Sequence, residues 1–312
     1  EAVLPVAKLI EDLCNLATLP KDLIQFLYGG GETGAALVGS PKVKKISFTG
    51  STVVGQKILE QAAKNLTPCV LELGGKDPAI VLPDADIRKA ARGIVWGAFT
   101  NAGQTCASVE RVYVDRNVVQ EFTEAVIDET KKLKLKRDVG AVTLKSQLGR
   151  YRAHLEDALK KGAKILVGGR EVDQAFFEPT VLINVNHDMI VMREETFGPI
   201  LPIMMVDSEE EALQKINDSC YGLTASVWSR NQKRAQRVAK KIEVGTVTIN
   251  DCIFTNALPE TPWGGYKKSG MGRVHSDSGL KEYVQTKHIN SDRLSLPPFW
   301  WFPYTERSYR LS

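Results

Sequence analysis

The 312-residue chain is 43% hydrophobic and 25% charged, with a formal net charge of +4, a balance that suits a soluble globular protein with a sizeable core and room for two domains. It holds no apolar run of about 18 residues, the length a membrane helix needs, and Glu1 to Pro5 lack the basic-then-apolar pattern of a signal peptide. Four histidines outside any HExxH pattern and five cysteines without a CxxC pair argue against a zinc site and a disulfide framework and favour a reducing compartment, read as cytoplasmic.

Apolar residues at Val6, Leu9, Ile10, Leu13 and Leu16 recur at helical spacing, so roughly residues 6–17 are expected to form an amphipathic helix. Leu23 to Tyr28 reads as a strand, Gly29 to Gly34 as a turn, and Ala35 onward as a helix. A second such unit follows, with strand Ile46 to Phe48, turn Thr49-Gly50-Ser51 and helix Val53 to Asn65, then a third strand at Cys69 to Leu73. Strands alternating with helices imply a parallel, doubly wound sheet with ligands at the carboxyl ends of its strands. Gly29, Gly31 and Gly34 fit G-x-G-x-x-G, but the acidic residue expected about 20 positions on is replaced by Val54. A loop needing positive φ is at least an even reading for those glycines.

A short strand after Lys76 leads to a helix over Ile87 to Asn101, with Asp84 or Asp86 as its N-cap. A second α/β alternation follows: strand 109–114, helices 118–133 and 146–161, strands 165–167, 177–182 and 201–206, helix 208–218, strand 223–228, a basic helix near 232–242 and strand 245–250. The basic run Lys131 to Arg137, broken by leucines, reads as a solvated helix end, and no nucleic-acid role is assigned. Neither a repeat nor a low-complexity segment is visible.

Three stretches carry chemistry: Glu72-Leu73-Gly74-Gly75-Lys76, Gly103-Gln104-Thr105-Cys106 and Glu194-Glu195-Thr196-Phe197-Gly198-Pro199. A cysteine among small and polar neighbours suits a nucleophile that a substrate must reach. Alone, an unpaired cysteine is most often an inert core residue, and a lone glutamate a cap or salt-bridge partner. Together the three stretches resemble the E-L-G-G-K, G-Q-x-C and E-E-x-F-G-P motifs of the aldehyde dehydrogenase superfamily, and the 34 positions between Glu72 and Cys106 match its spacing. Phe48-Thr49-Gly50-Ser51 resembles its F-T-G-S turn, and Pro262 to Arg273 its P-F-G-G-x-K-x-S-G-x-G-R signature, with Trp263 in place of phenylalanine.

The resemblance implies an α/β fold: part of a Rossmann-like NAD(P)-binding domain over residues 1–74, a catalytic domain over 75–275, and a C-terminal segment over 276–312. That last segment carries a strand, Gln285 to Leu294, which the family adds to a partner subunit in dimers or tetramers. It implies Cys106 as nucleophile and Glu72 as general base, a role that asks for a carboxylate with a raised pKa. Gly50, Ser51, Gly74, Glu195, Phe197 and Glu1 become cofactor contacts, Trp263 and Asn250 line the substrate pocket, and no metal is called for. Glu194 reads as a solvated loop edge and Arg111 as packing beneath the loop. The implied reaction oxidises a small-molecule aldehyde to a carboxylic acid with NAD or NADP, through a thiohemiacetal and a thioester. A coenzyme-A-acylating relative would not need Glu72, and the absence of a G-x-S-x-G elbow disfavours a serine hydrolase. A non-catalytic binding or structural protein on the same fold is the alternative from another class.

Glu1 falls where the family has K-P-x-E, so the resemblance begins inside the pattern, after the early strands of the cofactor domain and the asparagine of the oxyanion hole. The expectation is a fragment, or one of a split pair, completed by an N-terminal segment or second polypeptide and not competent alone. The tail Leu296 to Tyr304 is aromatic and proline-rich; docking on a neighbouring subunit is favoured over a membrane interface, because nine residues cannot span a bilayer.

Overall fold

A computed structural model describes residues 3–17, 19–20, 22–293 and 301–311. The chain divides into a body, residues 1–282, and a separate segment, residues 283–312. The body begins with α1 (Leu4–Leu16), α2 (Gly31–Gly39), β1 (Ile46–Thr49), α3 (Thr52–Ala63), β2 (Cys69–Glu72), β3 (Asp77–Val81), α4 (Ile87–Phe99) and β4 (Val109–Asp115). It continues through α5 (Val119–Lys131), α6 (Ser146–Lys160), β5 (Lys164–Val167), β6 (Glu171–Val172), β7 (Phe176–Phe177), β8 (Thr180–Ile183), α7 (Ile190–Arg193), β9 (Ile200–Val206) and α8 (Glu209–Asn217). The last elements of the body are β10 (Tyr221–Gly222), β11 (Thr224–Trp228), α9 (Gln232–Ala239), β12 (Thr246–Ile249), β13 (Tyr266–Lys267), β14 (Gly270–Met271) and α10 (Ser276–Lys281).

Among the described residues the larger sheet runs β12-β11-β3-β4-β9-β8-β5. Its neighbours are parallel except for β5 against β8. Every residue of β3 is buried, as a strand covered on both faces requires. Alternation along the strands sends Ile80, Leu82 and Tyr113 to one hydrophobic cluster and Ala79, Val81, Val112 and Val114 to the other. Helix α4 covers the second face with Ile87, Ala90, Ala91, Ile94, Val95 and Ala98, an apolar stripe at helical spacing. Asp86 caps it by accepting the Lys89 N–H at 3.1 Å. Asp84, the other cap candidate, instead accepts from the Ser229 hydroxyl and the Asn231 N–H.

A smaller sheet, β1-β2-β14, pairs β1 with β2 in parallel and β14 with β2 antiparallel. The two sheets are consecutive in the chain: β2 ends at Glu72 and β3 starts at Asp77. The site therefore lies at the carboxyl end of β2 but at the amino ends of β3, β4 and β9. The expected placement at carboxyl ends holds only for the smaller sheet, because Cys106 and Glu195 precede their strands rather than follow them.

The strand expected at Leu23 to Tyr28 is not formed. No ladder pairs with it among the described residues, and Leu23, Ile24, Leu27 and Tyr28 are exposed. Helix α2 starts at Gly31, ahead of Ala35, so Gly31 and Gly34 are helical. None of Gly29, Gly31 and Gly34 has positive φ, which removes the left-handed loop as their explanation. Helix α1 forms as its periodicity indicates, yet buries none of its residues.

In the separate segment, residues 285–293 carry neither helix nor strand, and Leu294 lies outside the described residues. Among the described residues no ladder pairs with the strand expected there. Of the aromatic tail, 296–300 lie outside the described residues; Trp301, Phe302 and Tyr304 are exposed and precede α11 (Glu306–Leu311). No described helix is long and apolar enough to cross a membrane.

Candidate active site

Cys106 stands on the loop between α4 and β4, and the path of that loop follows from backbone sterics. Asn101, Ala102 and Gly103 all have positive φ, at 50°, 56° and 69°, a sequence of left-handed residues that folds the chain back on itself. A Cβ on Gly103 would collide with the Gly198 backbone, so glycine is what lets the Cys106 loop touch the Glu194–Pro199 loop. Gln104 braces the same turn: its Oε1 accepts the Thr143 N–H at 2.8 Å, and its Nε2 donates to the Ala141 and Asn101 carbonyls at 3.0 and 3.1 Å. Cys106 is half-buried and packs against a small cluster of Ala107, Leu223 and Trp263. Burial first, then the Asp77, Glu72 and Glu195 carboxyls, push its thiol up to about 11. At neutral pH it is a thiol, and a thiolate requires a proton acceptor.

Glu72, last residue of β2, is 8% exposed, and among the described residues neither carboxylate oxygen makes a hydrogen bond of normal geometry. Burial raises it to about 7, offset only in part by the Trp263 indole and the Arg273 guanidinium. Its backbone is pinned by β14: Gly270 pairs with Glu72, and the Leu73 N–H donates to the Ser269 carbonyl at 3.0 Å. Gly270, at φ 146°, leaves no room for a Cβ against the Leu71 carbonyl. The late glycine-rich signature thus frames the glutamate directly.

Glu195 folds back on the loop after β2. Its Oε1 accepts the Gly75 N–H at 3.1 Å, and a Cβ on Gly74 would overlap its carboxylate. Burial, then the neighbouring Glu110, raise Glu195 to about 7. Phe197, at φ 50°, donates its N–H to Glu110 and accepts from the Tyr151 hydroxyl at 2.7 Å. Glu194 is exposed. Arg111, 1% exposed, donates to the Lys76 carbonyl at 2.7 Å and to Tyr113 and Ile216, which makes it a brace beneath the loop.

Gly50 and Ser51 lie at the start of α3: Ser51 caps the helix through the Val54 N–H, and Gly50 N–H donates to the Glu72 carbonyl at 3.0 Å. Close by, a cavity of about 720 Å3 is lined by Gly34, Leu37, Val38, Ser47, Val54 and Ile58, among others. A small-residue turn, the first-turn N–H groups of α3 and an apolar cavity fit a dinucleotide, which needs an anion site beside a flat apolar pocket.

Asn250 engages the Ser229 backbone with both ends of its side-chain amide. Its amide oxygen accepts the Ser229 N–H at 2.9 Å and its amide nitrogen donates to the Ser229 carbonyl at 2.8 Å, so it clamps the turn after β11. Glu1 lies outside the described residues. Glu110, Tyr151, Asp77 and Ser269 escaped the sequence reading. For Glu110 a signal existed: Glu110-Arg111 places two adjacent charges inside the otherwise apolar β4, a pattern that requires buried partners. Among the described residues no group of His, Cys, Asp and Glu is arranged to hold a metal.

The aldehyde dehydrogenase family profile matches residues 1–289. The chain belongs to the aldehyde dehydrogenase family. It is 41% identical to a 4,4'-diapolycopene aldehyde oxidase from Methylomonas, covering 99% of this chain and 59% of that protein. Identity to a glutarate-semialdehyde dehydrogenase from Pseudomonas putida is 37%, over 89% of this chain and 59% of the relative. Among solved structures, an NAD-dependent aldehyde dehydrogenase from Sinorhizobium meliloti matches at a TM-score of 0.91 with 34% identity, covering 95% of this chain and 60% of its own. A Staphylococcus aureus betaine aldehyde dehydrogenase in complex with NAD+ matches at 0.88 with 37% identity, over 94% and 60%. The α/β fold is that of aldehyde dehydrogenases, and the chain spans about 60% of the length of the relatives it matches.

Proposed function

We propose that the chain carries the nucleophile and base of an NAD(P)-dependent aldehyde dehydrogenase that releases a carboxylic acid. The observation that carries the reading is Glu72: a buried carboxylate that makes no hydrogen bond of normal geometry among the described residues, with only the Trp263 indole near enough to offset its burial in part, raised to about 7 and within the electrostatic field of Cys106. A structural carboxylate is normally hydrogen-bonded when buried. One left bare is suited to take a proton.

In this reading Cys106 gives its proton to Glu72 and its sulfur bonds to the aldehyde carbon, forming a thiohemiacetal. Hydride acceptance from that carbon is the chemistry that a bound NAD(P)+ would supply. Glu72 releases that first proton to solvent and then takes a proton from water as the water attacks the resulting thioester; the carbon–sulfur bond breaks, the proton passes from Glu72 to the Cys106 sulfur, and the carboxylic acid leaves with Cys106 restored. Gly50, Ser51 and the start of α3 would hold the pyrophosphate, and Glu195 and Phe197 the nicotinamide end, with Gly74 giving Glu195 room to move. Trp263 forms the apolar wall beside Cys106. Support for a domain boundary at 74/75 comes from the separate sheets that end at Glu72 and begin at Asp77. Residues 285–294 are proposed to pair with a second copy, in a dimer or tetramer.

The test is NAD(P)H formation from aldehydes by the parent chain, Cys106→Ala and Glu72→Gln. Loss in the first variant and a strong fall in turnover in the second support the reading. Retained turnover in Cys106→Ala overturns it.

A further inference from the structure

Among the side chains outside the motif that hold the Glu194–Pro199 loop, Glu110 takes two consecutive amides of it. Glu110 lies on β4, four positions after Cys106, and is 3% exposed. Its Oε2 accepts the Thr196 N–H at 2.8 Å and its Oε1 the Phe197 N–H at 2.7 Å. Oε2 also takes the Lys76 ammonium at 2.6 Å, in an ion pair whose side chains are 0% and 4% exposed. Lys76 in turn donates to the Thr196 hydroxyl at 2.9 Å, which contacts the Nδ1 of a buried His154 at 3.2 Å. One carboxylate thus joins the strand of the nucleophile, the loop of the base and the two residues that follow Glu195.

We propose that Glu110 is a positioning residue for the site: by accepting two consecutive amides and occupying Lys76, it fixes the Glu195 carboxylate on the Gly74–Gly75 loop. The argument rests on the reading of Cys106 as nucleophile and Glu195 as cofactor contact. A buried ammonium must have a counter-charge, and Lys76 has two carboxylates in its field, Glu110 and Glu195. Because Glu110 takes the ammonium, Glu195 is left to the Gly75 N–H. An ion pair that served packing alone would have no need of both amides, whereas a loop that must present the preceding side chain in one orientation does.

Replacing Glu110 by glutamine removes the charge but keeps the shape. Lys76 then draws the Glu195 carboxylate, and the negative field of Glu195 on Cys106 is cancelled. Cys106 should therefore be alkylated by iodoacetamide about threefold or more faster at pH 8. Glu110→Asp keeps the charge on Lys76 but is one methylene short of both amides. It should restore the parental alkylation profile while amide hydrogen exchange at Thr196 and Phe197 quickens about tenfold. Both measurements use the full chain, with alkylation read by peptide mass spectrometry. Profiles of Glu110→Gln that overlay the parent, or parental exchange in Glu110→Asp, overturn the proposal, as does identical behaviour of the two variants. Turnover retained in Cys106→Ala would sink the functional reading, and these outcomes concern Glu110 alone, so the two fail separately.

Discussion

The Gly75 N–H donates to Glu195 Oε1 at 3.1 Å, a bond that joins the loop of the proposed base to the loop of the proposed cofactor contact. Gly74 makes it possible, because a Cβ there would overlap the Glu195 carboxylate. Since the obstructing atoms are the end of a flexible side chain, Gly74→Ala should expel the carboxylate without unfolding the loop. The expected outcome is NAD(P) affinity reduced severalfold with a stability loss of no more than about 1 kcal/mol. Cofactor titration beside thermal melting checks this, and unchanged affinity would remove Glu195 from the cofactor site.

Gly103→Ala should behave differently. Here φ is 69° and the atoms in the way are backbone, the Gly198 carbonyl and the Ala98 oxygen. Neither can give by rotating. A loss of roughly 1–3 kcal/mol of stability is expected from the left-handed backbone and the forced separation of the two loops. A urea midpoint equal to the parent's would show that the loops do not meet in solution.

These two glycines also show what the sequence could disclose. Candidate residues within a motif, such as Cys106, Glu72 and Glu195, could be picked out because spacing and residue type are recorded in the chain. The contacts between motifs were not, because they depend on the sheet order β3-β4-β9, which brings Gly103 to Gly198 and Glu110 to Phe197 across long separations. Helices such as α4 were readable from their apolar stripe and the Asp86 cap. The segment Leu23 to Tyr28 was misread because an apolar run records burial or pairing only if a partner exists, and among the described residues Leu23, Ile24, Leu27 and Tyr28 stay exposed. For Asn250 the position after β12 was visible, but the Ser229 backbone that engages its amide was not.

The thiols should react in an order set by their surroundings. Cys220 is exposed, Cys106 is half-buried with its thiol at about 11, and Cys252 is buried with its thiol at about 12. At pH 8 iodoacetamide should modify Cys220 first and Cys252 last. Because the thiolate fraction grows about tenfold per pH unit below the pKa, raising the pH from about 8 to about 9.5 should speed Cys106 alkylation roughly 30-fold. Peptide mass spectrometry over time gives the order. Cys106 reacting at neutral pH as fast as Cys220 would contradict the depressed acidity described above.

The pH dependence of stability tests Glu72 without any substrate. Its folded pKa is about 7, against an ordinary carboxyl near 4.5, so between those values the folded chain binds a proton that the unfolded chain has released. The linked contribution to stability is fully present below about pH 4.5 and is lost as the pH rises through about 7. Glu195 is raised in the same direction, so Glu72→Gln should remove part of the decline and leave the rest. Compared with the parent, the variant should gain on the order of 1–3 kcal/mol more at pH 8 than at pH 4.5, measured as urea unfolding free energies. The same substitution should abolish the rise of thioester hydrolysis through pH 7, since glutamine cannot take a proton from water. Parallel stability curves for parent and variant would mean that Glu72 titrates alike in the folded and unfolded chain, and the buried carboxylate would lose its standing as the base.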